Sequence, residues 1–187
     1  MERKSVPLSC HPTKPSRLVR SVAVHLRRTR AELELSFRVE GEIARLRIPA
    51  WNGVRIGSEL WRHTCCEVFL AREGDARYHE LNFAPSGEWA AYALRDYRDG
   101  RMIANEKPTP RIAVRRADDA FELDASIGLE ALSSAYARAP LCVGLSAVIE
   151  ADDGISYWAI CHPREKPDFH DRRGFALRLD APEAESR

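Results

Sequence analysis

Side chains able to do chemistry gather in one stretch of this chain, Leu60–Asp99, which reads LWRHTCCEVFLAREGDARYHELNFAPSGEWAAYALRDYRD. It sets Glu67, His79, Glu80 and Asn82 inside strand-like runs, where an apolar core has no use for them. Glu67 and Glu80 are a candidate carboxylate pair, since glycoside hydrolysis needs two carboxyls roughly 5–10 Å apart. Cys65 or Cys66 with His63 or His79 would make a nucleophile pair, but neither has a local signature of that chemistry. His63, His79, His162 and His170, with Met102, are the candidate haem or metal ligands. The plainer role of such histidines is a hydrogen bond that fixes a loop. Cys10-His11 is at best half a metal site. No phosphate-binding loop, metal cage or catalytic triad is written anywhere. The residues argue for a binding module with no catalytic residues, no metal and no required cofactor.

Aromatic side chains point the same way. Trp51, Trp61, Trp89 and Trp158 are amphipathic plates, and two that face each other would clamp a sugar ring or a cation. Trp89, flanked by alanines within a strand, reads as core. Asn82 and Glu80 share a strand face with Tyr78 by parity, while His79, Leu81 and Phe83 share the other. A carboxylate and an amide on one face can hold sugar hydroxyls or tie down loop amides. Either way they need partners if buried.

The elements that must carry these groups are strands. Leu33, Leu35, Phe37 and Val39 alternate with Glu32, Glu34, Ser36, Arg38 and Glu40, a half-buried strand with one wet face. Leu18–Leu26 and Ile43–Ile48 alternate in the same way, and Pro49 stops the latter. CCEVFLA, YHELNFA and EWAAYALRDY are hairpin-linked strands. Their alternation is compromised, as expected if one face packs on the core and the other lines a site. Arg98–Pro110 reads as a polar loop, RIAVRR and AFELDASI as a hairpin, and Gly128–Ala137 as a short helix. LCVGLSAVIE, ISYWAICH and FALRLD are the closing strands, with Gly144 marking a bulge or a close approach. Such short strands with turns between them predict an all-β antiparallel sandwich or jelly roll, with at most one short helix. The expected organisation is an extended lead-in over 1–17, one domain over 18–180 and a flexible tail over 181–187.

Composition narrows the partners. Net charge is +1, from 29 basic and 28 acidic residues, so nothing draws the chain to nucleic acid. No run approaches the roughly 20 apolar residues of a membrane span, and the N-terminus lacks a secretory core. The five cysteines form no CxxC and leave one unpaired, which favours free thiols in a reducing compartment. A cytoplasmic location follows as the expectation.

Three segments carry a family resemblance: LWRHTCCEVFLA, YHELNFAPSGEWAAYALRDYRDG and SYWAICHPREKPDFH. The chain from about Leu8 to Leu179 resembles the bacterial DOMON-like domains, which are related to family 9 carbohydrate-binding modules. The resemblance implies an immunoglobulin-like or jelly-roll sandwich and a small-molecule ligand, either a sugar or a b-type haem. In the sugar-binding relatives two tryptophans sandwich a terminal sugar. By position, Trp61 matches the first of these and Glu67 a hydroxyl-binding carboxylate. Asn82 and Arg95 match polar contacts; Tyr157 or Trp158 matches the second aromatic. Glu80, on the strand face of Asn82, is a further candidate ligand contact by parity alone. A haem-binding member would need axial ligands, with Met102 the candidate thioether. A domain with no small-molecule ligand, meeting a partner chain through exposed aromatics, is the other alternative.

Overall fold

The computed structural model describes residues 4–107 and 109–182. They form two antiparallel sheets packed face to face, the expected all-β jelly-roll-like sandwich. The first sheet runs in the order β1 (Lys4–Cys10), β2 (Val19–Arg28), β3 (Glu32–Gly41), β10 (Ala120–Gly128), β9 (Arg111–Arg116). The second runs β4 (Arg55–Ile56), β7 (Glu88–Asp96), β6 (Tyr78–Phe83), β5 (Cys65–Arg72), β11 (Leu141–Ala151), β12 (Gly154–Ala159). β8 (Asp99–Met102) lies beside β7 and β13 (Leu177–Leu179) beside β11. Among the described residues, only β4 runs parallel to its neighbour. The helix is a single turn, α1 (Leu129–Leu132), followed by a 3-10 turn at Ser134–Ala137.

The sequence pattern explains the layers. In β3 the apolar set Leu33, Leu35, Phe37 and Val39 is buried against the second sheet, and Phe37 sits opposite Leu123 of β10. The polar set faces outward into ion pairs such as Arg38–Glu122 (2.6 Å) and Arg111–Glu32 (2.9 Å). Being exposed, these pairs add little stability each. From the second sheet, Val68, Leu70, Leu81, Phe83, Trp89, Leu145 and Trp158 complete the core. In β5 both faces are buried: Cys66, Val68 and Leu70 inward, Glu67, Phe69 and Ala71 outward. That is why its alternation of polar and apolar residues is blurred.

Three sequence expectations change. The lead-in contains β1, a true sheet member: Lys4–Leu8 pair with β2, then Ser9 and Cys10 pair with β12. One strand therefore stitches the two sheets together, and Pro7 had disguised it. Ile43–Ile48 is not a strand but a 3-10 turn at Ile43–Arg45 and a lone bridge from Leu46 to Ala151, where the chain crosses between sheets. Arg98–Pro110 is not all loop, because β8 occupies Asp99–Met102. Its hairpin turns at Tyr97-Arg98 with Arg98 at φ 55°, so the usual glycine or asparagine cue at that position is missing. The expected tail, 181–187, lies outside the described residues from 183 onward.

Gly144 is a close approach and not a bulge. The register of β11 with β5 runs unbroken past it, Val143 opposite Leu70 and Gly144 opposite Phe69. A Cβ there would stand 2.9 Å from Cδ1 of Phe175 and 3.3 Å from Cβ of Phe69. Phe175 belongs to the segment that crosses the outer face of this sheet. Gly144→Ala should therefore lower stability by about 1–3 kcal/mol through overpacking. A urea-unfolding midpoint unchanged from wild type would show that Phe175 is free to move aside.

Candidate binding site

The site is built on the outer face of the second sheet, the side turned away from the core. Parity sends Tyr78, Glu80 and Asn82 of β6 to this face, with Glu67 and Phe69 of β5 and Tyr92 of β7. Register then fixes the neighbours. Glu67 lies opposite Asn82 on one side and Ser146 of β11 on the other, and Glu80 lies opposite Tyr92. Val148 lies opposite Tyr157 of β12.

Three pieces of chain cover this floor. The 3-10 turn Leu60–Arg62 presents Trp61, preceded by Glu59 in the left-handed region at φ 53°. The tight turn before β8 presents Arg98. The segment between β12 and β13 presents Pro167, Phe169 and His170. That last segment is pinned by two acids. Asp171, buried, accepts from Arg164 Nε (2.6 Å), Arg173 Nη2 (2.7 Å) and the amide of Arg173 (3.0 Å). Asp168 accepts from Arg98 Nη2 (3.1 Å), the Tyr97 hydroxyl (2.7 Å) and the amide of His170 (3.2 Å). Arg172 lies over the Phe175 ring at 4.7 Å.

Between floor and cover is a cavity of about 340 Å³. Its walls are aromatic. Trp61 meets Tyr92 edge to face with ring centres 6.0 Å apart, and Tyr157 stands 6.1 Å from Phe169. Trp61 keeps 41% of its surface exposed, enough to offer an indole face to a ligand. The floor carries Glu67 and Glu80, both buried. Glu67 accepts from the Ser146 hydroxyl (3.2 Å), and Glu80 Oε1 accepts from Asn82 Nδ2 (2.9 Å).

Burial is the main force on these carboxyls. It pushes Glu67 up to about 8, helped by the nearby Glu80 and opposed by Ser146 and Arg98. Glu80 is also raised, by burial against the pull of Asn82 and Arg98. Burial therefore favours the protonated form at both carboxyls. Burial lowers His170 to about 4, with Arg98 adding to the effect. The neutral ring fits its bonds. The Arg98 amide donates to Tyr78 Oη (3.3 Å), whose own proton goes to His170 Nδ1 (2.9 Å). His170 Nε2–H then faces Glu80 Oε2 at 3.6 Å.

Of the residues singled out from sequence, Trp61, Glu67, Glu80 and Tyr157 line this one cavity. Asn82 is fully buried beside Glu80 on the same face. Two lie elsewhere. Trp158, the neighbour of Tyr157, must point to the opposite face; it is buried in the core and donates to Ser156 Oγ (3.0 Å). Arg95 is turned to solvent and paired with Asp99 (2.9 Å). Tyr92, Arg98 and Phe169 were not singled out as ligand contacts, and His170 only as a candidate haem or metal ligand. Tyr92 was legible by parity, and Phe169 and His170 belong to the KPDFH segment. Arg98 gives no sequence cue.

A wider cleft of about 850 Å³ opens at the rim, lined by Arg47, Glu59, His63, Met102 and Glu150 among others. No Trp, Tyr or Phe lines it. His63 Nδ1 bonds Glu150 there (2.7 Å). His79 is bound instead to the Tyr136 hydroxyl (2.9 Å), and His162 Nε2 donates to Ser9 O (2.8 Å). Among the described residues no group of three or more His, Cys, Asp or Glu is placed to hold a metal. Cys65 and Cys66 are fully buried, and burial drives both thiols far above their ordinary range.

No family model matches this chain, and no curated protein does. Its fold is shared with solved structures. A "putative carbohydrate-binding protein" from Bacteroides uniformis superposes with TM-score 0.68 at 16% identity, over 95% of this chain and 86% of that one. A carbohydrate-binding module of family 9 from Caldicellulosiruptor kristjanssonii, in complex with glucose, superposes with TM-score 0.54 at 10% identity, over 97% and 87%. At such identities the likeness establishes the fold, an all-β sandwich of the kind those modules use.

The Glu67 carboxyl gives a pH signature. The folded protein keeps its proton up to about 8, whereas the unfolded chain loses it near the ordinary 4.5. Stability attached to that proton is present in acid and is lost as pH climbs through this window. Glu67→Gln, which cannot ionise, should flatten the decline between about pH 5 and 8 in urea-unfolding midpoints. A slope identical to wild type would mean that Glu67 ionises freely in the fold.

Proposed function

We propose that this chain is a non-enzymatic carbohydrate-binding domain whose ligand occupies the cavity between Trp61 and Tyr157. The observation that carries this reading is the pairing of aromatic walls with a carboxyl floor. Sugar rings present apolar C–H faces and a belt of hydroxyls. The exposed face of Trp61 and the ring of Tyr157 suit the former. Glu80, the Glu67 carboxyl and Arg98 suit the latter through charge-assisted hydrogen bonds. The fold shared with a family 9 module solved with glucose supports the same reading. The second aromatic is Tyr157 and not a tryptophan, so the proposed clamp is Trp–Tyr. Membership of the DOMON-like group is the finer family assignment within this proposal.

The two carboxyls argue against hydrolysis. Glycosidases place their acids on either side of the scissile bond. Glu67 and Glu80 rise from adjacent strands on one sheet face, so both would meet a ligand from beneath.

Calorimetric titration of the full chain with glucose and cellotriose tests the proposal. Trp61→Ala should raise Kd about tenfold or more, a loss of about 1.4 kcal/mol or more, with little change in melting temperature. Trp158→Ala should instead cost about 3–5 kcal/mol of stability, because it empties part of the core. Binding that survives Trp61→Ala unchanged would remove the cavity from consideration.

A further inference from the structure

The floor of the cavity is rich in acceptors and poor in donors. Glu67 and Glu80 supply carboxyl oxygens, and among the described residues no lysine or arginine stands within ion-pair distance of either. Arg98, the one arginine lining the cavity, commits Nη2 to Asp168 (3.1 Å) and Nε to the Tyr97 hydroxyl (3.2 Å). His170 approaches Glu80 only as a neutral ring. Asn82 adds an independent sign. It is fully buried on the cavity side of β6, opposite Glu67, and while its Nδ2 serves Glu80 its Oδ1 has no partner. A buried acceptor without a donor is costly, and a donor brought within reach of it removes that cost. Four aromatic rings, Trp61, Tyr92, Tyr157 and Phe169, ring the same space. Ring faces attract cations.

An ammonium group has three donors and no acceptor, which is the complement of this floor. Resting on the carbohydrate reading, we infer that the sugar taken by this cavity bears an ammonium group, as a glucosamine unit does, directed at Glu67 and Glu80, beside which Asn82 Oδ1 is left without a partner. Binding carries a proton consequence. Burial favours the protonated form of Glu67 in the free protein, with Glu80, Cys65, Cys66 and Arg98 the titratable groups about it and Tyr92 and His170 beside Glu80. An arriving cation favours the ionised carboxyl, so the proton leaves as the ligand enters.

The test is calorimetry of the full chain near neutral pH with two trisaccharides: cellotriose and its counterpart built of glucosamine. Each is run in two buffers of different protonation heat. The expected result is that the amino trisaccharide binds tighter by about tenfold or more. Its heat should also differ between buffers, reporting proton release. Glu80→Gln, which keeps the acceptor used by Asn82, should bring the two affinities to parity. Glu67→Gln should bind the amino sugar without the buffer dependence. Equal or stronger binding of cellotriose by the wild type would overturn the inference and leave the carbohydrate reading standing. Binding of neither would overturn both.

Discussion

A strand must send successive side chains to opposite faces, and in the second sheet both faces are covered. The inner face is closed by the first sheet, with Leu70, Leu81 and Phe83 in the shared core. The outer face is closed by the chain between β12 and β13, whose Phe175 packs on Phe69 and Tyr78. Everything at the site follows from that double cover. Without it Glu67 and Glu80 would be ordinary wet carboxylates, Trp61 a stray surface ring, and Gly144 free to be any residue.

Covering a polar face is expensive unless its groups are paired, and the protein pairs them only in part. The covering segment is held from its own side by Asp168 and Asp171, which gather four arginine and tyrosine side chains at the edges. The floor beneath is served by neutral donors, Ser146 and Asn82. The result is a cavity with fixed walls whose floor still lacks a counterpart. The strained turn at Arg98 sits at its mouth, where left-handed backbone places a guanidinium against Asp168. Rigid walls with unmet polar groups are what a binding site requires before its ligand arrives.

Much of this was legible before the fold was known, and the reasons are local. Period-two patterning wrote β2 and β3, and turns between short apolar runs wrote β5, β6, β7 and the β9–β10 hairpin. Parity alone placed Glu80 and Asn82 together and opposed them to Leu81. The unread parts share a cause: they depend on contacts between distant segments or on residues doing unusual work. β1 hides behind Pro7 and shows its nature only through partners in both sheets. β8 hides behind a turn made by Arg98 instead of glycine. The choice between Tyr157 and Trp158 needed to know which face of β12 meets the core, and double burial erases the pattern that would say so. His170 reaches Glu80 and Phe169 reaches Tyr157 from a remote loop, meetings that no periodicity encodes.

The central claim, that the ligand enters over Glu67 and Glu80 and not at the wider rim cleft, is tested most directly by mapping. Backbone and indole N–H signals of the labelled protein would be followed by NMR during titration with cellotriose and its glucosamine counterpart. The expected result is movement of the Trp61 indole and of the amides around Tyr157 and Phe169–His170, with the Trp89 and Trp158 indoles still. Movement centred on Ile56–Glu59 and His63, or none with either sugar, would contradict it.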